Sequence, residues 1–263
     1  MNIATSEDLH VSLERYVATV EIRRPPHNFF DVDLITQLAE AYAALDADSA
    51  CRAILLCAEG KNFCAGANFS AADPGLGQTA GSGLLSNELY RHAVSLFRCR
   101  KPVVAAVQGA AIGGGLGLAV SADFRVTCPE GRFSANFTRL GFHPGFGLTV
   151  TLPALIGQQR AALMFLTSRR IDGEQATAWG LADQCVPQAE LRTAALALAS
   201  EIAGCAPLAV ASTRATLRHG LADRIARQTD HELAEQNWLR GTADWIEGVK
   251  ATAERREPNF SGT

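Results

Sequence analysis

The sequence has 263 residues, 48% of them hydrophobic and 19% charged, with 24 basic against 27 acidic side chains and a net charge of −3. A chain of this length buries roughly 70 to 75% of its unfolded surface, so a sizeable core is available. The composition excludes a disordered or fibrous protein. The balanced charge gives no field that would draw a polyanion, which argues against a nucleic-acid partner.

Seven cysteines stand at positions 51, 57, 64, 99, 128, 185 and 205 with no C-x-x-C pair. This pattern suggests neither a disulfide framework nor a metal cluster, and it reads as reduced thiols in a cytoplasmic protein. The N-terminal MNIATSEDLHVSLERY carries acids early, unlike an export signal. Residues 102–122 hold no charge, but five glycines and Gln108 within them fit a buried strand and helix better than a membrane span.

The elements follow in chain order. Alternation of Val17, Thr19 and Glu21 with Ala18, Val20 and Ile22 predicts a strand, which Arg24-Pro25-Pro26 ends. Asp31 can cap a helix with Leu34, Leu38, Tyr42 and Leu45 on one face. A strand over 53–57 follows, then a loop, a small-residue stretch near 71–83 that reads as mobile, and a helix over 87–97. Strands over 103–107 and 124–127 flank a helix over 113–122. Strands separated by helices of this size must pair in parallel, which defines an α/β class. Beyond Val186 the pattern is helical only, broken at 204–207, Gly220 and Gly241. The tail's Leu196, Leu208, Leu217, Leu221, Leu233 and Trp238 exceed what a lone appendage can hide, so subunit packing is expected. The chain divides into a core, 1–195, and a C-terminal helical region, 196–263.

Two segments suggest chemistry. Asn62-Phe63-Cys64-Ala65-Gly66-Ala67-Asn68 follows a strand with small residues that let a ligand approach backbone N–H groups. In Val107 to Ala119, a strand leads through Gly113-Gly114-Gly115 into a helix, where unpaired N–H groups and the positive end of the helix dipole can hold a negative oxygen. The cluster fits neither G-x-G-x-x-G, since Leu118 stands at the third glycine, nor a P-loop, and no G-x-S-x-G occurs. An anion hole without an attached nucleophile remains.

With these segments the sequence resembles the enoyl-CoA hydratase/isomerase superfamily, the crotonase fold, along nearly the whole chain. The resemblance rests on Arg24-Pro25-Pro26, F-C-A-G-A-N at 63–68 and K-P-V-V-A-A-V-Q-G-A-A-I-G-G-G-L at 101–116. Ala122-Asp123, Leu140-Gly141, Pro144-Gly145, W-G-L-A-D-Q-C-V-P at 179–187 and E-G-V-K-A-T-A-E-R-R-E-P-N-F at 247–260 extend it. It implies repeated ββα units with a C-terminal helical oligomerisation region, assembled as a homotrimer or a hexamer built as a dimer of trimers. It implies an acyl-CoA substrate, with coenzyme A entering only as part of that substrate, and neither metal nor membrane. The N–H groups of Ala67 and Gly114 are then the expected oxyanion-hole donors for a thioester carbonyl, worth roughly 3 to 4 kcal/mol each. Pro26, His27, Ala65 and Ala67 would meet the CoA. Of the family's phenylalanine and lysine near the C-terminus, this chain has Thr252 and Arg255, and Arg255 keeps the charge.

The chain departs from the family at its acid–base residues. Alignment puts the hydratases' two glutamates at Gly117 and Phe137, so hydration by the usual mechanism and single-glutamate isomerisation are disfavoured. The aromatic-CoA dehalogenases' aspartate and histidine fall at Gly145 and Tyr90. His143 is the expected replacement acid or base, with Tyr90 and His92 as further pocket residues. Cys99, between Arg98 and Arg100, is a position where a thiolate would be favoured. The expected activity is enolate stabilisation, followed by decarboxylation, hydrolysis or another step. The alternatives are a hydratase/isomerase of fatty-acid metabolism with relocated acid and base, and a non-catalytic CoA-ester binding protein.

Overall fold

The computed structural model describes residues 6–69 and 86–263, and the stretch near 71–83 lies outside them. The chain opens with an antiparallel hairpin, β1 (Leu9–Glu14) and β2 (Val17–Ile22). Helix α1 (Val32–Ala47) leads to β3 (Ala53–Ala58), parallel to β2, and α2 (Asn87–Arg98) leads to β4 (Val103–Val107), parallel to β3. Strand β5 (Ala110–Ile112) leaves this sheet, α3 (Gly114–Ser121) follows, and β6 (Phe124–Thr127) returns beside β4. After β7 (Arg132–Ser134) come α4 (Leu148–Ile156), α5 (Gln158–Thr167), β8 (Arg170–Asp172), α6 (Gly173–Trp179) and β9 (Gln184–Cys185). The last four helices are α7 (Leu191–Gly204), α8 (Pro207–Leu217), α9 (Leu221–Leu239) and α10 (Ala243–Ala253).

One sheet runs β1-β2-β3-β4-β6-β9 and a smaller one β5-β7-β8. The order strand, strand, helix recurs as β1-β2-α1 and β4-β5-α3, which is the expected ββα repeat of the crotonase-like α/β fold. The four central strands coincide with the strands read from the sequence at 17–22, 53–57, 103–107 and 124–127, β3 running one residue further. The missed strands, β1, β5 and β7 to β9, are six residues or shorter and sit where turn residues dilute the pattern.

Strand β3 is buried along its whole length, as a parallel strand covered on both faces must be. Ile54, Leu56 and Ala58 join the main core, while Ala53, Leu55 and Cys57 meet Leu191, Ala195, Ala199 and Ala203 of α7. The division expected at 195/196 therefore falls inside a helix that packs on the sheet. Asp31 does cap α1, accepting from Leu34 N at 2.9 Å, and Ser86 caps α2, accepting from Leu89 N at 3.1 Å. The uncharged stretch 102–122 is β4, β5 and α3 within the core, and among the described residues no single helix is long and apolar enough to cross a membrane.

Candidate active site

The two turns flagged in the sequence are brought together by short polar side chains. Asn28, fully buried at φ 50°, donates to the carbonyls of Glu59 (2.8 Å) and Asn62 (2.6 Å) and accepts from Arg24 N (2.9 Å). Asn62 Oδ1 accepts from Ala110 N at 3.1 Å, and Gln108 Nε2 donates to Ala58 O at 2.7 Å. Thus anchored, the segment after β3 runs parallel to β5. Cys64 N donates to Ala110 O (2.8 Å), and Ile112 N donates to Cys64 O (3.1 Å). Three residues beyond the paired Cys64 and Ala111 stand Ala67 and Gly114.

Glycine is required where the turns touch. Gly66 has φ 89°, and a Cβ there would lie 2.8 Å from Ile112 O and 4.0 Å from Gly114 N. A Cβ on Gly115 would lie 2.1 Å from Cys64 O, so only glycine lets α3 start against this segment. Gly113 N is used, donating to Ser134 O at 2.8 Å, and α3 has no side-chain cap. The N–H groups of Ala67 and Gly114 donate to no described residue. Both residues line a cavity of about 320 Å³ beyond the carboxyl ends of β3 and β4. Ligands of open parallel sheets bind at that end, and here the α3 dipole adds positive potential.

The cavity wall is aromatic. Phe29, Phe30, Phe69, Phe137, Phe142 and Phe146 all line it, with Phe142 edge-on to Phe69 (5.7 Å), Phe137 (5.4 Å) and Trp245 (4.7 Å). Among the described lining residues, none is a carboxylate, histidine, lysine or cysteine; the polar side chains are Tyr90, Asn136, Thr252 and Arg255. Phe137 lines the cavity. Gly117 does not line it, because the space a side chain there would need is filled by Phe146, whose Cβ would lie 2.6 Å from an added Cβ.

Tyr90 replaces the space of a side chain at Gly145, where an added Cβ would lie 2.1 Å from the phenol oxygen. The buried hydroxyl donates to Gln236 Oε1 at 2.7 Å, and Gln236 Nε2 donates to His143 O at 2.9 Å. Burial first, and the nearby Glu232 second, push this phenol well above its ordinary range, so it keeps its proton at neutral pH. The ring of His143 lies outside the described cavity lining: Nδ1 is 2.7 Å from Pro144 O, and the ring stands edge-on to His231 at 5.8 Å. His92, half-buried on α2, also lies outside it. Ala65, Ala67 and the exposed Arg255 line the cavity; Pro26 and His27 are exposed beside it, with Ala65 N donating to His27 O at 3.0 Å. Among the described residues no cluster could hold a metal ion.

Cys99 differs from its sequence reading. It is buried with its Sγ 3.5 Å from Asp46 Oδ1, and burial followed by that carboxylate raises its pKa, so no thiolate is favoured. Burial likewise pushes Cys64 up to about 12.

Glu232 was not anticipated from the sequence. It is fully buried on α9 and accepts from Gly147 N (2.8 Å), Thr149 N (3.1 Å) and Thr149 Oγ1 (2.5 Å) at the start of α4. It thereby fixes the turn in which Phe146 adopts φ 62° and Gly147 φ 71°. Burial pushes its carboxyl up to about 7 despite these bonds. The available signal was its spacing with Ile225, Thr229, Leu233 and Gln236, which marks the inward face of α9.

These features meet in a known class: the chain belongs to the enoyl-CoA hydratase/isomerase family, whose model matches residues 13–263. It is 34% identical over 252 residues to a probable enoyl-CoA hydratase, EchA14, of Mycobacterium tuberculosis, covering 95% of this chain and 97% of that protein. It is 31% identical over 254 residues to 1,2-epoxyphenylacetyl-CoA isomerase of Escherichia coli, covering 95% and 97%. Among solved structures, an enoyl-CoA hydratase/isomerase from Pseudoalteromonas atlantica superposes with a TM-score of 0.86 at 28% identity, over 97% of this chain and all of that one (100%).

Proposed function

We propose that this protein binds the CoA thioester of a malonyl-type acid, releases CO2 from it and holds the resulting thioester enolate on the N–H groups of Ala67 and Gly114. One observation carries the reading. Two amides that donate to no described residue, at matching positions of adjoining turns, belong to residues lining a cavity whose described lining contains no ordinary base. Enolate formation by proton abstraction needs a positioned base. Loss of CO2 does not, because the electron pair of the breaking carbon–carbon bond becomes that of the enolate.

In this mechanism the bond from the α-carbon to the carboxylate breaks, CO2 leaves, and negative charge moves onto the thioester oxygen. Two fixed donors are worth most at that stage, and the phenylalanine walls exclude the water that would screen them. The Tyr90 hydroxyl, turned from Gln236 Oε1 toward the cavity, gives its proton to the α-carbon and later regains one from water. Gln236 orients that hydroxyl. Arg255 would pair with CoA phosphates, with Pro26, His27 and Ala65 along the nucleotide. Exposed Leu208, Leu217 and Trp238 support assembly into trimers or pairs of trimers.

A second reading is isomerisation or hydration with Tyr90 as the relocated acid. It is supported by the aromatic wall and by the name of the Escherichia coli relative. A panel of CoA thioesters incubated in deuterated water separates the readings. Decarboxylation releases CO2 and leaves one deuterium on the α-carbon of the product, whereas hydration or isomerisation consumes enoyl or epoxy thioesters without CO2. Tight binding with neither exchange nor turnover would make the protein a CoA-ester binder and overturn both.

A further inference from the structure

We infer that Asn136 is the residue that holds the departing carboxylate and so selects malonyl-type thioesters; this rests on the decarboxylation reading above. Asn136 follows β7 and lines the cavity beside the start of α3. Its Oδ1 lies 3.2 Å from the place a Cβ on Gly113 would take, and Cζ of Phe137 lies 3.8 Å from the same place. The amide therefore stands beside the turn that presents Gly114 N, with a phenylalanine ring next to it.

Its chemistry is distinctive among the described lining residues. The Tyr90 hydroxyl is bonded to Gln236 and is assigned to protonation of the α-carbon, Thr252 is exposed on the last turn of α10, and Arg255 is exposed just beyond that helix. Asn136 alone on the inner wall carries a polar side chain bonded to no described residue. The half-buried amide is open to the cavity, so a bound ligand can reach it without displacing a protein partner among the described residues. Rotation of the unbonded side chain turns either Oδ1 or Nδ2 toward the hole. Turned so that Nδ2 faces inward, it donates to a carboxylate on the α-carbon of a thioester whose carbonyl oxygen sits on Ala67 and Gly114.

One neutral donor is a weak hold, and that suits the reaction. A carboxylate surrounded by Phe30, Phe137 and Phe146 has lost much of its hydration, and no described cation lines the inner wall to compensate. When the carbon–carbon bond breaks, that charge leaves the apolar wall as neutral CO2 and passes to the two amides. The carboxylate is thus destabilised in the bound substrate more than in the transition state.

The test compares methylmalonyl-CoA with propionyl-CoA, its decarboxylated counterpart, on wild type, Asn136→Asp and Asn136→Ser. Asn136→Asp should raise the KM for methylmalonyl-CoA roughly 10- to 100-fold, the range of one hydrogen bond to a charged group, while the Kd for propionyl-CoA moves less than about threefold. Asn136→Ser retains a donor and should fall between. An Asp variant with unchanged KM, or with both thioesters weakened equally, overturns the assignment of Asn136 while leaving decarboxylation intact. If wild type releases no CO2 from methylmalonyl-CoA or malonyl-CoA, the decarboxylation reading itself fails and takes this assignment with it.

Discussion

Phe146 stands where a side chain at Gly117 would have to be: a Cβ on Gly117 would lie 2.6 Å from both the Cβ and Cδ1 of Phe146. The two positions are complementary, so a carboxylate is not merely missing at 117; its space is filled. The prediction is that Gly117→Glu destabilises the fold by about 1 to 3 kcal/mol through overpacking and gains no hydratase activity. Thermal melts and an enoyl-CoA hydration assay check it. A stable Gly117→Glu protein would show that Phe146 yields easily.

The oxyanion assignment predicts that Ala67→Pro, which deletes one N–H group without touching α3, lowers turnover roughly 10²- to 10³-fold. CoA binding should be retained, because the loss belongs to charge developing on the thioester oxygen. Calorimetric binding beside turnover separates the two effects. A large loss of binding with turnover per bound substrate unchanged would place the carbonyl elsewhere.

Tyr90→Phe keeps the ring in its buried site and removes only the hydroxyl that bonds Gln236. The expected result is a fall in kcat of roughly 10²-fold or more with little change in KM, as for loss of a general acid. Gly145→Ala should mimic it by displacing the phenol, since the added Cβ would lie 2.1 Å from that oxygen. Equal losses in both KM and kcat would make Tyr90 a packing residue.

Glu232 predicts the pH dependence of stability. Its carboxyl is raised from 4.5 to about 7 in the folded chain, first by burial. Between those values the folded state keeps a proton that the unfolded chain releases. The stabilisation is therefore full below about pH 4.5 and is lost as pH rises through about 7, in total on the order of 3 kcal/mol. Urea unfolding of wild type and Glu232→Gln across this range measures it as the difference between the two curves. Parallel curves would mean that the carboxyl titrates normally.

The sequence by itself determined the scaffold. Alternation marks β2, a short apolar run marks β3, helical spacing marks α1 and α2, and Asp31 caps its helix as read, because these signals are local and each is written within a few residues. The glycine turn before α3 and the F-C-A-G-A segment were legible for the same reason. The facing of side chains was not. His143 stands among the loop residues near the cavity, yet its ring packs on His231; Glu232, some 85 residues from Gly147 in sequence, folds back onto its N–H. Whether Asn136 finds a partner among the described residues, and whether Phe146 occupies the room beside Gly117, depend on packing between segments that meet only after the chain has closed, and no short-range periodicity encodes that.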